Sequence, residues 1–229
     1  MKFRDFAEGE MLLIDKPEGW TSFDVVKKVK HLIRTKKTGH AGTLDPMATG
    51  LLILCTGKWT KKIDEYQAQE KEYEGTFTIG ARTASYDRET PAEETFDIKD
   101  ITEERIREAA KKLTGHIKQQ PPAYSALKVN GKRAYDLARQ GKEVLLRERE
   151  VEVRVFEITR IALPEVDFKI VCSKGTYIRS LAHDLGLALG NGAYLSRLVR
   201  TRIGEFLLAD ALSLKELAGY IESNALKEA

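Results

Sequence analysis

The sequence predicts an α+β domain, and three observations carry that reading. Residues 72–79 alternate, with Tyr73, Gly75, Phe77 and Ile79 on one side and Glu72, Glu74, Thr76 and Thr78 on the other. That is the pattern of a half-exposed antiparallel strand. Two more strand-like runs, 151–161 and 166–172, follow one another directly. The helical patterns are few and fall between strand runs, without the regular strand–helix alternation of a doubly wound sheet.

The elements follow in order. Residues 10–14 read as a first strand entering a Lys-Pro turn. Thr21 or Ser22 can cap a helix whose apolar face is Val25, Val26, Val29, Leu32 and Ile33, ending before Gly39. Residues 50–56 form a short apolar run suited to a buried strand, and 60–66 a short helix. A helix over 103–113 follows a Thr102 cap. Residues 117–149 are polar and interrupted by Pro and Gly, as in a projecting segment, with a short helix near 134–139. After the two strands comes a helix over 178–189, stopped by Gly190-Asn191-Gly192, then a strand over 195–203 and a last helix after Ser213.

A chain of 229 residues can bury a substantial core without disulfides. Cys55 and Cys172 sit in apolar runs and read as buried free thiols. No basic-then-apolar leader opens the chain and no apolar run approaches ~20 residues, so a soluble, cytoplasmic protein without membrane contact is expected. The net charge is only +3, but it is segregated. Residues 25–44 and 111–135 carry six basic residues each and no acidic one, whereas 61–110 hold fourteen acidic and eight basic. Residues 185–204 add Arg197, Arg200 and Arg202 without an acid. That distribution suits a basic face turned to phosphates.

The densest chemical signal is the loop Gly39-His40-Ala41-Gly42-Thr43-Leu44-Asp45-Pro46-Met47-Ala48-Thr49-Gly50. It sets one carboxylate, Asp45, in a glycine-punctuated turn before the run Leu51-Leu52-Ile53-Leu54-Cys55. The following proline pushes Asp45 toward extended backbone. A carboxylate so held is a candidate nucleophile or base. Read alone, it is also an ordinary Asp-Pro turn. His31, His40, His116 and His183 are scattered and none pairs with a cysteine at ligand spacing, so no metal site is expected. A P-loop is a poor reading too: six residues separate Gly50 from Gly57-Lys58 where four are needed, and Trp59 follows where Ser or Thr should.

Six segments decide between these readings: DKPEGWTS (15–22), GHAGTLDPMATGLL (39–52), KEY (71–73), PPAYSALK (121–128), GTYIRSLA (175–182) and AYLSRLVRTRIG (193–204). In this order they resemble the blocks of the bacterial tRNA pseudouridine synthase B family, the TruB-type enzymes. The likeness runs from about residue 11 to 213. It implies the pseudouridine synthase fold, a mixed, mostly antiparallel central sheet flanked by helices, with an RNA-clamping insertion at about 117–149. One catalytic domain over 1–229 is expected, with a short helical tail at 213–229. Many members carry a C-terminal PUA-type domain. This chain stops sixteen residues after Ser213, so a form without that domain is expected.

The resemblance also implies roles. Asp45 matches the catalytic aspartate, Arg179 the arginine that pairs with it, and Tyr73 the tyrosine that stacks on the target base. Tyr177 matches a second tyrosine at the base or ribose, Leu198 an apolar residue packing the base, and His40 a histidine near the flipped nucleotides. Lys16 and Pro17 match a motif read as support under the Asp45 loop. Lys128, Lys132, Arg133 and Arg200 are expected to contact RNA. The implied substrate is the T-loop uridine of tRNA, position 55, isomerised with no cofactor, no metal and no guide RNA by a monomer. Residues 83–90, TASYDRET, keep an aspartate where related sequences read TxTxDxxG but lack the final glycine, a loop difference. Three alternatives are a guide-dependent H/ACA-type synthase, a tRNA-binding or tRNA-folding protein on the same scaffold, and a carboxylate glycosidase. The last would want a second acid close by, and none stands out.

Overall fold

The computed structural model describes residues 6–129, 131–142, 144 and 146–225. The chain divides into two compact units. One runs to Tyr73 and resumes at Val199; the other is Glu74–Leu198.

Along the chain, β1 (Met11–Lys16) is followed by α1 (Ser22–Leu32), β2 (Thr38–Ala41), β3 (Thr49–Thr56), a 3-10 turn over Gly57–Lys62, and α2 (Ile63–Ala68). Next come β4 (Lys71–Ile79), β5 (Ala81–Thr83), β6 (Ala92–Thr95), α3 (Glu103–Lys112) and β7 (Gly115–Gln119). Then follow β8 (Lys128–Val129), β9 (Lys132–Arg133), α4 (Ala134–Ala138), β10 (Arg149–Ala162) and β11 (Glu165–Cys172). The chain closes with α5 (Ile178–Ala188), β12 (Ala193–Ile203), β13 (Phe206–Leu207), a 3-10 turn over Leu208–Asp210 and α6 (Leu214–Ala225).

In the first unit β3 lies between β1 and β12, with β2 also on β3 and β13 on β12. The β1–β3 and β2–β3 pairings are antiparallel and β3–β12 is parallel, matching Val199 to Thr49 and Arg200 to Gly50. Side chains alternate across a strand, and both faces of β3 are covered. Leu52 and Leu54 join Leu12, Ile14, Val25, Val29 and Leu217 in one cluster. Leu51, Ile53 and Cys55 join Leu13, Ala41, Tyr66 and Ile203 in the other. A strand covered twice reads as a continuous apolar run. Burial pushes the Cys55 thiol up to about 11. Thr21, not Ser22, caps α1: its hydroxyl accepts from Asp24 N at 3.0 Å, while Asp24 Oδ2 accepts from Thr21 N at 3.1 Å.

In the second unit the strand order is β12-β4-β11-β10-β7. Phe77 stacks on Phe168 with centroids 4.1 Å apart, and Phe156 meets both edge-on. Gly75 belongs to the same inward row of β4, because a Cβ there would come within 2.4 Å of Arg197 O. Thr76, expected on the solvent side, is instead buried and donates to Asp167 Oδ1 at 2.6 Å. The projecting segment starts later than 117: Ile117 pairs with Val151 and Gln119 with Arg149 in the sheet. No helix among the described residues is long and apolar enough to cross a membrane.

Candidate active site

Lys16, Pro17, His40, Asp45, Tyr73 and Arg200 belong to the first unit; Lys128, Lys132, Arg133, Tyr177, Arg179 and Leu198 belong to the second.

The Asp45 loop is held by side chains bonding its backbone. Ser22, released from capping duty, accepts from Leu44 N at 2.9 Å and donates to Leu44 O at 3.3 Å. Lys16 is fully buried, and its Nζ donates to Trp20 O at 2.6 Å, Pro17 O at 3.0 Å and Pro46 O at 3.3 Å. Gly19 N donates to Pro46 O as well, at 2.8 Å. The loop closes on itself where Ala48 N donates to Asp45 O at 3.0 Å. Asp45 itself is half-buried. Burial lowers the Lys16 ammonium to about 8; the Asp45 charge opposes that fall and the Arg200 charge adds to it.

Arg200 departs from the expectation of an RNA contact. It is 1% exposed, and its Nε donates to Leu51 O at 2.7 Å and its Nη2 to Gly42 O at 3.1 Å. Its two carbonyl partners bracket the Asp45 loop, so this arginine ties the loop shut and offers no phosphate an approach. Gly50 makes that fit possible: it has φ +98°, and a Cβ there would lie 2.4 Å from Arg200 O. His40 lies on β2, not in a turn, and its Nδ1 is buried without a hydrogen-bond partner among the described residues. Burial, then the Arg200 charge, hold its imidazole below the ordinary histidine range, against a backbone bond at Gly42 that raises it. Tyr73 is buried on the inward row of β4.

In the second unit Arg179 is the second residue of α5 and is 4% exposed. Its Nη1 donates to Tyr124 O at 2.9 Å and Ser85 O at 3.2 Å, and its Nε lies 3.4 Å from Asp87 Oδ2. Asp87 is fixed in turn by Ser85 Oγ at 2.6 Å and Glu89 N at 2.8 Å. Sequence reasoning passed over Asp87 as part of a loop difference; the Ser-Tyr-Asp spacing, which favours a side-chain-bonded turn, was the available signal. Tyr177 caps α5, half-buried. Leu198 is buried on β12. Lys132 and Arg133 are exposed on β9, where Arg133 pairs with Lys128 in register. The side chain of Lys128 lies outside the described residues.

Residues 30–178 match the TruB family pseudouridylate synthase N-terminal domain, and 179–229 match the tRNA pseudouridylate synthase B C-terminal domain. The chain belongs to the TruB family. This TruB-family chain is 52% identical to the tRNA pseudouridine synthase B of Flavobacterium johnsoniae, over 92% of this chain and 95% of that one. To the protein of the same name from Phocaeicola vulgatus it is 47% identical, over 98% of each. Among solved structures it resembles a chain of a Cbf5–Nop10–Gar1 complex, with a TM-score of 0.76 and 30% identity over 98% of this chain but 57% of that one. The TruB fold class, α+β with a mixed central sheet flanked by helices, is the one expected from the sequence.

Proposed function

We propose that this chain is a stand-alone tRNA pseudouridine synthase that isomerises uridine 55 in the T-loop, with Asp45 as its catalytic carboxylate. The C1′–N1 bond of the uridine breaks, the base turns, and C1′–C5 forms; the atoms balance within one nucleotide, without cofactor or energy source. Tyr73 stacks on the base, Tyr177 and Leu198 contact the flipped nucleotide, His40 meets its neighbours, and Arg179 supplies positive charge. The Lys132–Arg133 hairpin grips the RNA backbone. The enzyme works as a monomer in the cytoplasm, where its substrate is found.

The observation that carries this reading is the bracing of the Asp45 loop by Ser22, Lys16 and Arg200 through its backbone. A carboxylate that must meet one atom of a flipped base gains from a support that does not reorganise. A base drawn from a folded RNA loop costs a few kcal/mol of unstacking, which contacts to the splayed nucleotides offset. Close relatives bearing the synthase B name along almost their whole length add to it.

Likeness to chains of H/ACA ribonucleoproteins favours a second reading, guide-directed modification. One experiment separates the two: pseudouridine is mapped in a tRNA transcript incubated with pure protein and no guide RNA. Product at position 55 is expected from the wild type and none from Asp45→Asn, with tRNA affinity kept within a few fold. Product that needs a guide, or full turnover by Asp45→Asn, would sink the proposal.

A further inference from the structure

We infer that Arg149 is a substrate contact whose guanidinium takes an anionic phosphate oxygen of the RNA beside the nucleotide that meets Tyr177. The inference rests on the reading of Tyr177 as a contact to the flipped nucleotide.

Arg149 is the first residue of β10 and stands opposite Gln119 of β7. Gln119 is fully buried and grips both backbone groups of Tyr177: its Oε1 accepts from Tyr177 N at 2.7 Å, and its Nε2 donates to Tyr177 O at 3.0 Å. From the neighbouring strand the Arg149 guanidinium carbon lies 4.6 Å from the centroid of the Tyr177 ring. The sheet edge thus holds Tyr177 twice, by its backbone from β7 and by its ring from β10.

A cation held over a ring is attracted through its charge, a contact that spends none of the guanidinium's N–H donors on an acceptor. One arm of that fork, Nη2, is withdrawn from solvent and has no hydrogen-bond partner among the described residues. No carboxylate pairs with Arg149 among them either. A donor withdrawn from water without an acceptor is costly, and Arg149 as a whole is only half-buried, so its guanidinium can turn to an acceptor that arrives with the substrate beside the Tyr177 ring. In RNA the acceptor that matches a planar, charged fork is a phosphate. A prop for Tyr177 alone would need only the stack.

The test measures tRNA affinity against salt in the Asp45→Asn background, where nothing turns over. Arg149→Gln should weaken binding about tenfold and reduce the log–log salt slope by about 0.7–0.9, the share of one phosphate. Arg149→Lys should keep the slope while losing part of the affinity. Circular dichroism and melting check folding. A folded Arg149→Gln with an unchanged slope would overturn the inference and leave Arg149 as a prop. If Arg149→Gln does not fold, a lowered slope in Arg149→Lys would overturn it equally. Failure of the wild type to form pseudouridine without a guide would remove the proposed function but not this binding result.

Discussion

Lys16 and Arg200 are buried cations whose donors go to backbone carbonyls around Asp45, and the two positions test how far the loop depends on them. Arg200→Met leaves the carbonyls of Gly42 and Leu51 without their charged donors, a loss of about 2–4 kcal/mol in unfolding experiments. A loop misplaced by about 1 Å lowers single-turnover rate about 10²-fold; Arg200→Lys, a point donor in place of a fork, should recover part of it. An Arg200→Met enzyme with full rate and weaker tRNA binding would restore the RNA-contact reading. Lys16 makes a pH prediction with two signs. Its ammonium sits at about 8, below the ordinary 10.5, with burial the largest cause. Above about pH 8 a neutral amine has too few protons for three carbonyls, so the rate should fall on the alkaline side. Stability moves the other way: between about pH 8 and 10.5 the unfolded chain binds the extra proton, so this group's contribution to stability rises with pH. Rate–pH profiles and pH-dependent melting of wild type and Lys16→Met check both, and an alkaline limb unchanged in Lys16→Met would remove Lys16 from it. The burial of Arg200 was not legible in the sequence. A basic residue in an acid-free stretch reads as exposed, and its acceptors lie 149 and 158 residues away.

Among the elements, the β8–β9 hairpin sets Lys132 and Arg133 side by side in solvent. Neutralising both as Lys132→Gln and Arg133→Gln should flatten the log–log salt dependence of tRNA binding by about one to two units, with little effect on stability because both are exposed. An unchanged slope would put the RNA elsewhere. Strong patterns made most elements legible. The alternation of β10 and β11, the apolar run of β3 and the caps of α1 and α3 each come from residues that must face a core or a free N–H. The elements that sequence missed lack such a demand. The run Thr38-Gly39-His40-Ala41 has no alternation, yet it lies along β3 as β2. The β5–β6 pair is three and four residues long, and β6 is exposed throughout, so no buried face marks it.

At the scale of the whole molecule, the chain divides into two compact units, the second a single continuous stretch of sequence between the two segments of the first. Sequence could not mark the borders, since both fall inside strands: β4 runs through Tyr73 and Glu74, and β12 through Leu198 and Val199. No Gly-, Pro- or Ser-rich linker is needed where a strand continues. The Asp45 loop and Arg200 therefore stand at opposite ends of the order of synthesis. On a ribosome adding about 5–20 residues per second, Arg200 is added roughly 7–30 s after the carbonyls it will bind. Until then the loop has Ser22, Lys16 and Gly19 to brace it but not Arg200, and β3 lacks its parallel neighbour. Chains ending at Leu198 should lose amide protection over 42–51 and be cut there faster by protease than the full chain; equal protection would place the lock elsewhere. The bracing of the Asp45 loop is thus a late event of synthesis, complete only once nearly all of the polypeptide has been made.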